Sequence, residues 1–472
     1  MSAAPGNARL DGLARIVGAA HVLTDPQTLA SYLVEPRGLY HGRALALVRP
    51  ASTAEIAGVL AFCNDARIPV VPQGGNTGLV GGQTPDESGD EIILSLQRMN
   101  KVREVDAEGN AMIVEAGVTL AAAQAAAEAA DRLFPLSLAS EGSCTIGGNL
   151  STNAGGVGVM AYGSMRDLAL GLEVALANGE ILNGLGKLRK DNTGYDLKDL
   201  FIGAEGTLGV IGAASLKLFP RPGAMATAFV GLADPKAALQ LLTLARRRLG
   251  AAVTSFELLP RIGLEFVLRH VLGSRDPLAS PHPWYVLIEI SSQHAGGAED
   301  TLSETLQAAI EQNIVEDAAI AATLRQRKDF WRLREELSDV QAAEGGSIKH
   351  DVSVPVGVAP DFIAEASRAV LEDLPAARIV AFGHLGDGNI HFNVSQPVGV
   401  DKQAFLARWQ EVNEIVHAVV ARWQGSISAE HGIGRLKREL LKKSKDPVAL
   451  GLMRAIKSTL DPNGILNPGA VL

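Results

Sequence analysis

The order of apolar and polar positions divides the chain in two, with the change at Arg221-Pro222-Gly223. Before it, residues 45–48 predict a short strand, Ser52-x-x-Glu55 is a capping box opening a helix through about Ala66, and residues 68–72 predict a second strand. Residues 92–96 predict another strand, residues 102–120 two strands around an Ala-Glu-Gly-Asn turn, and the alanine-rich run to Asp131 a helix. From Ala226 to about Ala421 strands alternate with helices, including an amphipathic helix at 235–249 and strands at 285–290 and 378–382. Residues 461–469 hold too many turn formers for a helix and predict an ordered tail docked on another element.

Length and charge narrow the classes. The 472 residues suffice for two to four domains, and the net charge of −9 argues against a nucleic-acid footprint or a polybasic membrane patch. The longest apolar stretches, such as residues 168–177, are too short to span a bilayer and are broken by charge at Glu173. The first 25 residues lack an apolar h-region, so a reduced, cytoplasmic compartment is the expectation. Only Cys63 and Cys144 occur, which excludes a disulfide scaffold, a cysteine zinc ribbon and a protein-ligated four-cysteine iron–sulfur cluster.

Glycine occupies 50 positions, many of them in three segments. The first, Gln73-Gly74-Gly75-Asn76-Thr77-Gly78 and on to Gly82, ends a βαβ pattern but runs into turn residues and another strand. It lacks a Gly-Lys-Ser/Thr ending and a clean G-x-G-x-x-G, so it supports neither a nucleotide P-loop nor a Rossmann fingerprint. The second covers residues 141–156 and the third residues 203–211. One such segment alone reads as a structural turn; three together can offer backbone N–H groups to an extended, phosphate-bearing ligand.

Titratable residues add a second constellation. His384-Leu385-Gly386-Asp387-Gly388-Asn389-Ile390-His391 reads as a hairpin. With a four-residue loop at 386–389, His384 lies opposite His391, at a Cβ separation of about 4.5–5.5 Å from which two imidazoles can share a metal ion. Asn393 points to the same face. Glu430-His431 precedes Gly432 and Gly434, and two histidines plus a carboxylate make a common catalytic zinc set, leaving the remaining histidine as a base. His21, His41, His270, His282, His294 and His417 read as ordinary surface or core residues. Residues 330–338 predict a helix with Arg334 and Ser338 on one face, and residues 347–354 a strand with Lys349, Asp351 and Ser353 on one side. Arg334 and Lys349 can converge on a dianionic substrate, the alternative being solvated charges on a helix and an edge strand.

Residues 71–85, 135–163, 190–211, 381–393, 425–435 and 461–469 together resemble the flavin-dependent D-2-hydroxyacid dehydrogenases of the vanillyl-alcohol oxidase / p-cresol methylhydroxylase fold. Members that oxidise D-2-hydroxyglutarate are the most similar, with D-lactate and glycolate enzymes near them. The resemblance implies an α+β chain: a two-part FAD-binding domain at 1–222, a substrate or cap α/β domain at 223–422, and a C-terminal segment at 423–472 returning to the FAD domain. It implies that Pro72, Gly74, Gly75, Asn76, Thr77 and Gly78 hold FAD together with Gly142, Ser143, Gly147, Gly148, Asn149, Thr152, Asn153 and Gly156. Glu205, Gly206, Gly209, Ile211 and Asn467 complete the cofactor set. Asn76 stands where some members attach flavin covalently through histidine, so non-covalent FAD is expected.

The same resemblance makes His384, His391 and Glu430 ligands of a metal, most plausibly Zn2+, and His431 the general base. Arg334, Ser338, Lys349 and Asn393 fall where the 2-hydroxyglutarate enzymes contact substrate carboxylates, with Ser338 in place of an expected threonine. The implied reaction takes the C2 hydrogen of a D-2-hydroxy acid as hydride onto FAD and yields the 2-keto acid. D-Lactate, D-malate or glycolate as substrate, an FAD subunit of a larger complex, and a non-catalytic flavin carrier are the alternatives. With no cluster of its own, the chain is expected to pass electrons to a separate acceptor such as an electron-transfer flavoprotein or a quinone; a homodimer is left open.

Overall fold

A computed structural model of the protein describes residues 5–472. The chain forms two compact units: one comprises the described residues up to Gly155, residues 163–221 and residues 430–472, and the other comprises Gly156–Tyr162 and Pro222–Ala429. The chain leaves the first unit at Arg221, inside the turn-rich tripeptide. It re-enters at Glu430, seven residues later than the expected position 423, because Ser426 and Ala429 are still tied to the second unit.

In the first unit, a four-stranded sheet orders Val22–Leu23, Ala46–Val48, Ile92–Ser95 and Val70–Gln73, the last three mutually parallel. The helix Thr53–Ala66 makes the crossover. Its Ser52 side chain accepts from Glu55 N at 3.2 Å while Glu55 accepts from Ala51 N at 2.8 Å, so the capping pair closes one residue earlier than a strict box. A five-stranded antiparallel sheet follows, in the order Val102–Asp106, Ala111–Glu115, Val210–Lys217, Ala169–Ala175, Ile181–Gly184. The turn-rich tail docks on the first sheet: Val70 N donates to Ile465 O at 2.8 Å and Asn467 N to Val70 O at 2.8 Å. Lys457 holds it there through Thr207 O and Leu466 O, each at 2.8 Å.

In the second unit, a four-stranded antiparallel sheet orders Val253–Pro260, Trp284–Ser292, Ala224–Leu232 and Asp317–Ile320. A three-stranded sheet orders Ser347–Ser353, Asn389–Ser395 and Arg378–Phe382. One bridge joins them: Leu258 N donates to Gly383 O at 2.8 Å and Gly383 N to Leu258 O at 3.0 Å. The helices Pro235–Leu249, Ala298–Glu311, Ala359–Asp373 and Trp409–Arg422 bury their apolar faces on these sheets. The predicted helix at 330–338 is instead two, Leu324–Glu335 and Leu337–Val340.

Candidate active site

The three glycine-rich segments converge in the first unit on a cavity of about 450 Å³. Pro72, Gly74, Gly75, Asn76, Thr77 and Gly78 line it from the first segment, and Gly147, Gly148, Asn149 and Thr152 from the second. Glu205, Gly206, Gly209 and Ile211 line it from the third. Glycine is required at position 75, where a Cβ would lie 1.9 Å from Ser143 O. That contact explains Ser143, which does not line the cavity but buttresses the loop that does.

Gly142, Asn153 and Asn467 also stand outside the cavity lining, and Gly156 belongs to the second unit. Asn153 accepts from Arg166 N at 2.9 Å, and Asn467 donates to Gly82 O at 2.8 Å and Glu205 O at 2.7 Å, so both brace the wall from behind. The sequence pattern gives no reason to single out Gln73 or Gln83 on the lining: Gln73 Nε2 donates to Tyr32 O and Gln83 O at 3.0 and 2.9 Å. The buried side-chain oxygens of Gln73 and Asn76 have no partner among the described residues, as expected where a polar ligand completes the wall. A glycine-rich cavity with orphaned polar oxygens fits a bound dinucleotide.

Glu430 and His431 stand on the same cavity wall. The segment that carries them is fixed by Glu205, whose carboxylate accepts from Ile433 N at 2.7 Å and Gly434 N at 2.8 Å. Burial pushes the Glu205 carboxyl up to about 7, against the opposing pull of those two N–H groups. Arg435 N and Leu436 N then donate to Val80 O at 2.9 and 3.1 Å, which anchors the segment a second time.

In the second unit, the hairpin register differs from expectation. Phe382, not His384, pairs with His391, and the turn runs over residues 383–388. Gly383 has φ of 136° and would place a Cβ 2.9 Å from Asn389 O, so the strand ends there and His384 leaves the ladder. The histidines still meet: their ring centroids lie 5.6 Å apart and a nitrogen of each lies within 4.8 Å of the other. His384 instead faces Glu257, because the antiparallel Leu258–Gly383 bridge sets residue 257 opposite residue 384.

Glu257 is therefore the side chain that the sequence pattern passes over. It sits in a strand buried at every position and is itself 1% exposed. Oε1 lies 2.7 Å from His384 Nδ1 and Oε2 accepts from Arg334 Nε at 2.7 Å. Burial alone would raise its pKa, but His384 and Arg334 outweigh burial and hold the carboxyl well below the usual range. A lone charged residue in an otherwise uncharged strand was the available signal, since buried carboxylates need partners.

Of the expected substrate residues, Arg334 is buried and stacks over Phe382, its Cζ 4.9 Å from the ring centroid. Lys349 pairs in register with Asn393, and Asp351 with His391, so these four side chains share one face of the sheet. Asn393 donates to Gln341 Oε1 at 3.1 Å, whereas Lys349 is exposed and donates to Ser338 O at 2.9 Å. Ser338 thus meets Lys349 through its backbone. Ala429 N donates to Asp351 O at 3.4 Å, and Glu430 follows it by one peptide bond.

Comparison with known proteins identifies the family and the fold. Residues 44–184 match the family described as FAD binding domain, and residues 221–471 match FAD linked oxidases, C-terminal domain. The chain is 41% identical to D-2-hydroxyglutarate dehydrogenase, mitochondrial, of Bos taurus, over 98% of this chain and 83% of that one. It is 38% identical to the protein of the same name from Arabidopsis thaliana, over 97% of this chain and 80% of that one. Among solved structures, p-cresol methylhydroxylase with substrate bound superposes with a TM-score of 0.76 at 18% identity, covering 98% of this chain and 96% of that one. With both halves matched and near-full-length relatives at this identity, the chain belongs to the FAD-linked oxidases of the vanillyl-alcohol oxidase / p-cresol methylhydroxylase fold, as a homologue of the D-2-hydroxyglutarate dehydrogenases.

Proposed function

We propose that the chain oxidises D-2-hydroxyglutarate to 2-oxoglutarate, with a divalent metal ion of the zinc class held by His384, His391 and Glu430 and with His431 as general base. The observation that carries the substrate is Arg334: Glu257 holds its Nε, and its two Nη groups have no partner among the described residues. A buried guanidinium, paired through Nε and with its Nη groups left over, fits a second carboxylate and favours a diacid over a substrate without one. The donor set of two imidazoles and a carboxylate suits zinc, and the Glu257 contact is the kind of outer support that metal-binding histidines require.

When bound, FAD would supply the hydride acceptor for the C2 hydrogen, and a cation held by His384, His391 and Glu430 would supply Lewis acidity that favours an ionised hydroxyl. His431 takes the hydroxyl proton, and the 2-keto acid leaves with one hydride and one proton removed. Arg334 grips the distal carboxylate through two parallel N–H bonds, and Asn393 and Lys349 bound the same face. Cys63 and Cys144 are free and buried, and the reduced flavin would pass its electrons to a separate acceptor such as an electron-transfer flavoprotein or a quinone.

Anaerobic titration of the purified yellow protein with D- and L-2-hydroxy acids, with and without a chelator, tests the proposal. D-2-Hydroxyglutarate is expected to bleach the flavin, and verified metal removal to stop the bleaching. Bleaching by D-lactate alone would refute the dicarboxylate assignment, and undiminished bleaching by metal-free protein would refute the metal.

A further inference from the structure

We infer that Glu257 is a positioning residue that sets, with one carboxylate, both the tautomer of His384 and the orientation of Arg334. The inference rests on the metal and substrate roles proposed above. It goes beyond them in making the two ends of the substrate site depend on a single side chain that does not touch substrate.

The argument begins with the backbone. The Leu258–Gly383 bridge is a pair of hydrogen bonds, 2.8 and 3.0 Å, joining the edges of two sheets, so the opposed residues 257 and 384 have little freedom to separate. Glu257 Oε1 lies 2.7 Å from His384 Nδ1. An ionised carboxylate only accepts hydrogen bonds, so Nδ1 carries the proton and Nε2 keeps the lone pair that a metal ion needs. Loss of that contact removes the preference against the other tautomer, which has no lone pair on Nε2.

The second oxygen does the corresponding task for Arg334. Oε2 accepts from Nε at 2.7 Å, and the guanidinium lies over the Phe382 ring, so a hydrogen bond and a stacking contact fix its plane. Both Nη groups are then left to one side of the fork, where a carboxylate can take them together. An ion pair kept only for stability is a weak use of a buried carboxylate, since apolar side chains of similar volume commonly serve as well. Glu257 binds two groups from helix and turn, 77 and 127 residues away, and each belongs to a different half of the proposed chemistry. One rigid bridge thereby fixes the spacing between the metal end and the distal carboxylate end of a diacid.

The test uses the FAD-loaded enzyme and the variants Glu257→Gln and Glu257→Asp. Zinc affinity is read by competition with a chromophoric chelator, and KM and kcat separately with D-2-hydroxyglutarate. Glutamine cannot accept from both partners, so Glu257→Gln is expected to bind zinc about 10–100-fold more weakly and to raise KM for the diacid. Aspartate keeps the charge but reaches one partner only, so Glu257→Asp should spare either zinc affinity or KM and impair the other. Should Glu257→Gln not accumulate as folded, flavin-loaded protein, Glu257→Asp carries the test alone. Zinc affinity and KM both within twofold of wild type in the folded variant would overturn the inference while leaving the metal reading intact. A wild-type protein that takes up no metal would overturn both.

Discussion

Two buried glutamates, one in each unit, have opposite fates. Glu205 in the cofactor unit accepts from the backbone N–H groups of Ile433 and Gly434, and burial outweighs these and the pull of Lys437 to raise its carboxyl to about 7. Glu257 in the other unit meets Arg334 and His384, which overcome the same burial and keep it ionised. The difference reflects how the two sites are built. Most of the cofactor cavity wall is backbone, glycine, apolar side chains and neutral polar groups, with Glu205, Glu430 and His431 as its titratable members, whereas Glu257, Arg334 and His384 form a network of charged side chains braced against one another. The first kind of site is specific for shape; the second is specific for charge and spacing.

Mutations should separate the two. The largest effect is expected from His431→Gln, with kcat reduced about 10²–10⁴-fold and flavin absorbance per protein unchanged; a loss below tenfold would remove His431 as the base. Next, Arg334→Ala should lower kcat/KM for D-2-hydroxyglutarate by about 10²–10³-fold, in line with a broken buried pair, and for D-lactate much less. Equal losses on both substrates would break the contrast, because Arg334 would then be supporting structure alone.

Glu205 allows a test of stability against pH. Its folded pKa of about 7 lies above the ordinary 4.5, so the native state binds more protons between those values. Its contribution is complete below pH 4.5 and falls as pH rises through 7, by about 3 kcal/mol in all. Thermal melts from pH 5 to 8 should show this decline, and Glu205→Gln should flatten it; an unchanged slope would count against the assignment. The smallest effect is expected from Gly75→Ala, about 1–3 kcal/mol of overpacking against Ser143 O with a reduced flavin-to-protein ratio and an unaltered KM in the flavin-loaded fraction.

Much of the cofactor unit was legible in the sequence because its signals are local. Paired glycines, the Ser52 cap and the turn-rich tail each declare a backbone conformation within a few residues. The hairpin shows the limit of that reading. Asp387-Gly388 marks a turn, but the turn's length depends on Gly383, whose positive φ answers to the neighbouring strand rather than to its own segment. Glu257 was illegible for the same reason. An acid in a buried strand announces that it has partners, yet Glu289 in the next strand announces the same thing, and it serves Thr227, Arg327 and Trp331 instead. Only the bridge between sheets distinguishes them.

The interrupted path of the chain also sets an order of events during synthesis. Every residue of the second unit has been made by Ala429, while the first unit still lacks the tail segment that bridges to Val70 and the N–H groups that Glu205 accepts from. On the ribosome the inserted unit can therefore complete its core while the earlier-made cofactor walls wait, open, for a segment more than 200 residues downstream of them. FAD loading is expected to be a late step that reports on the arrival of residues 430–467, and a chain stalled before them is expected to carry a folded second unit and no yellow colour.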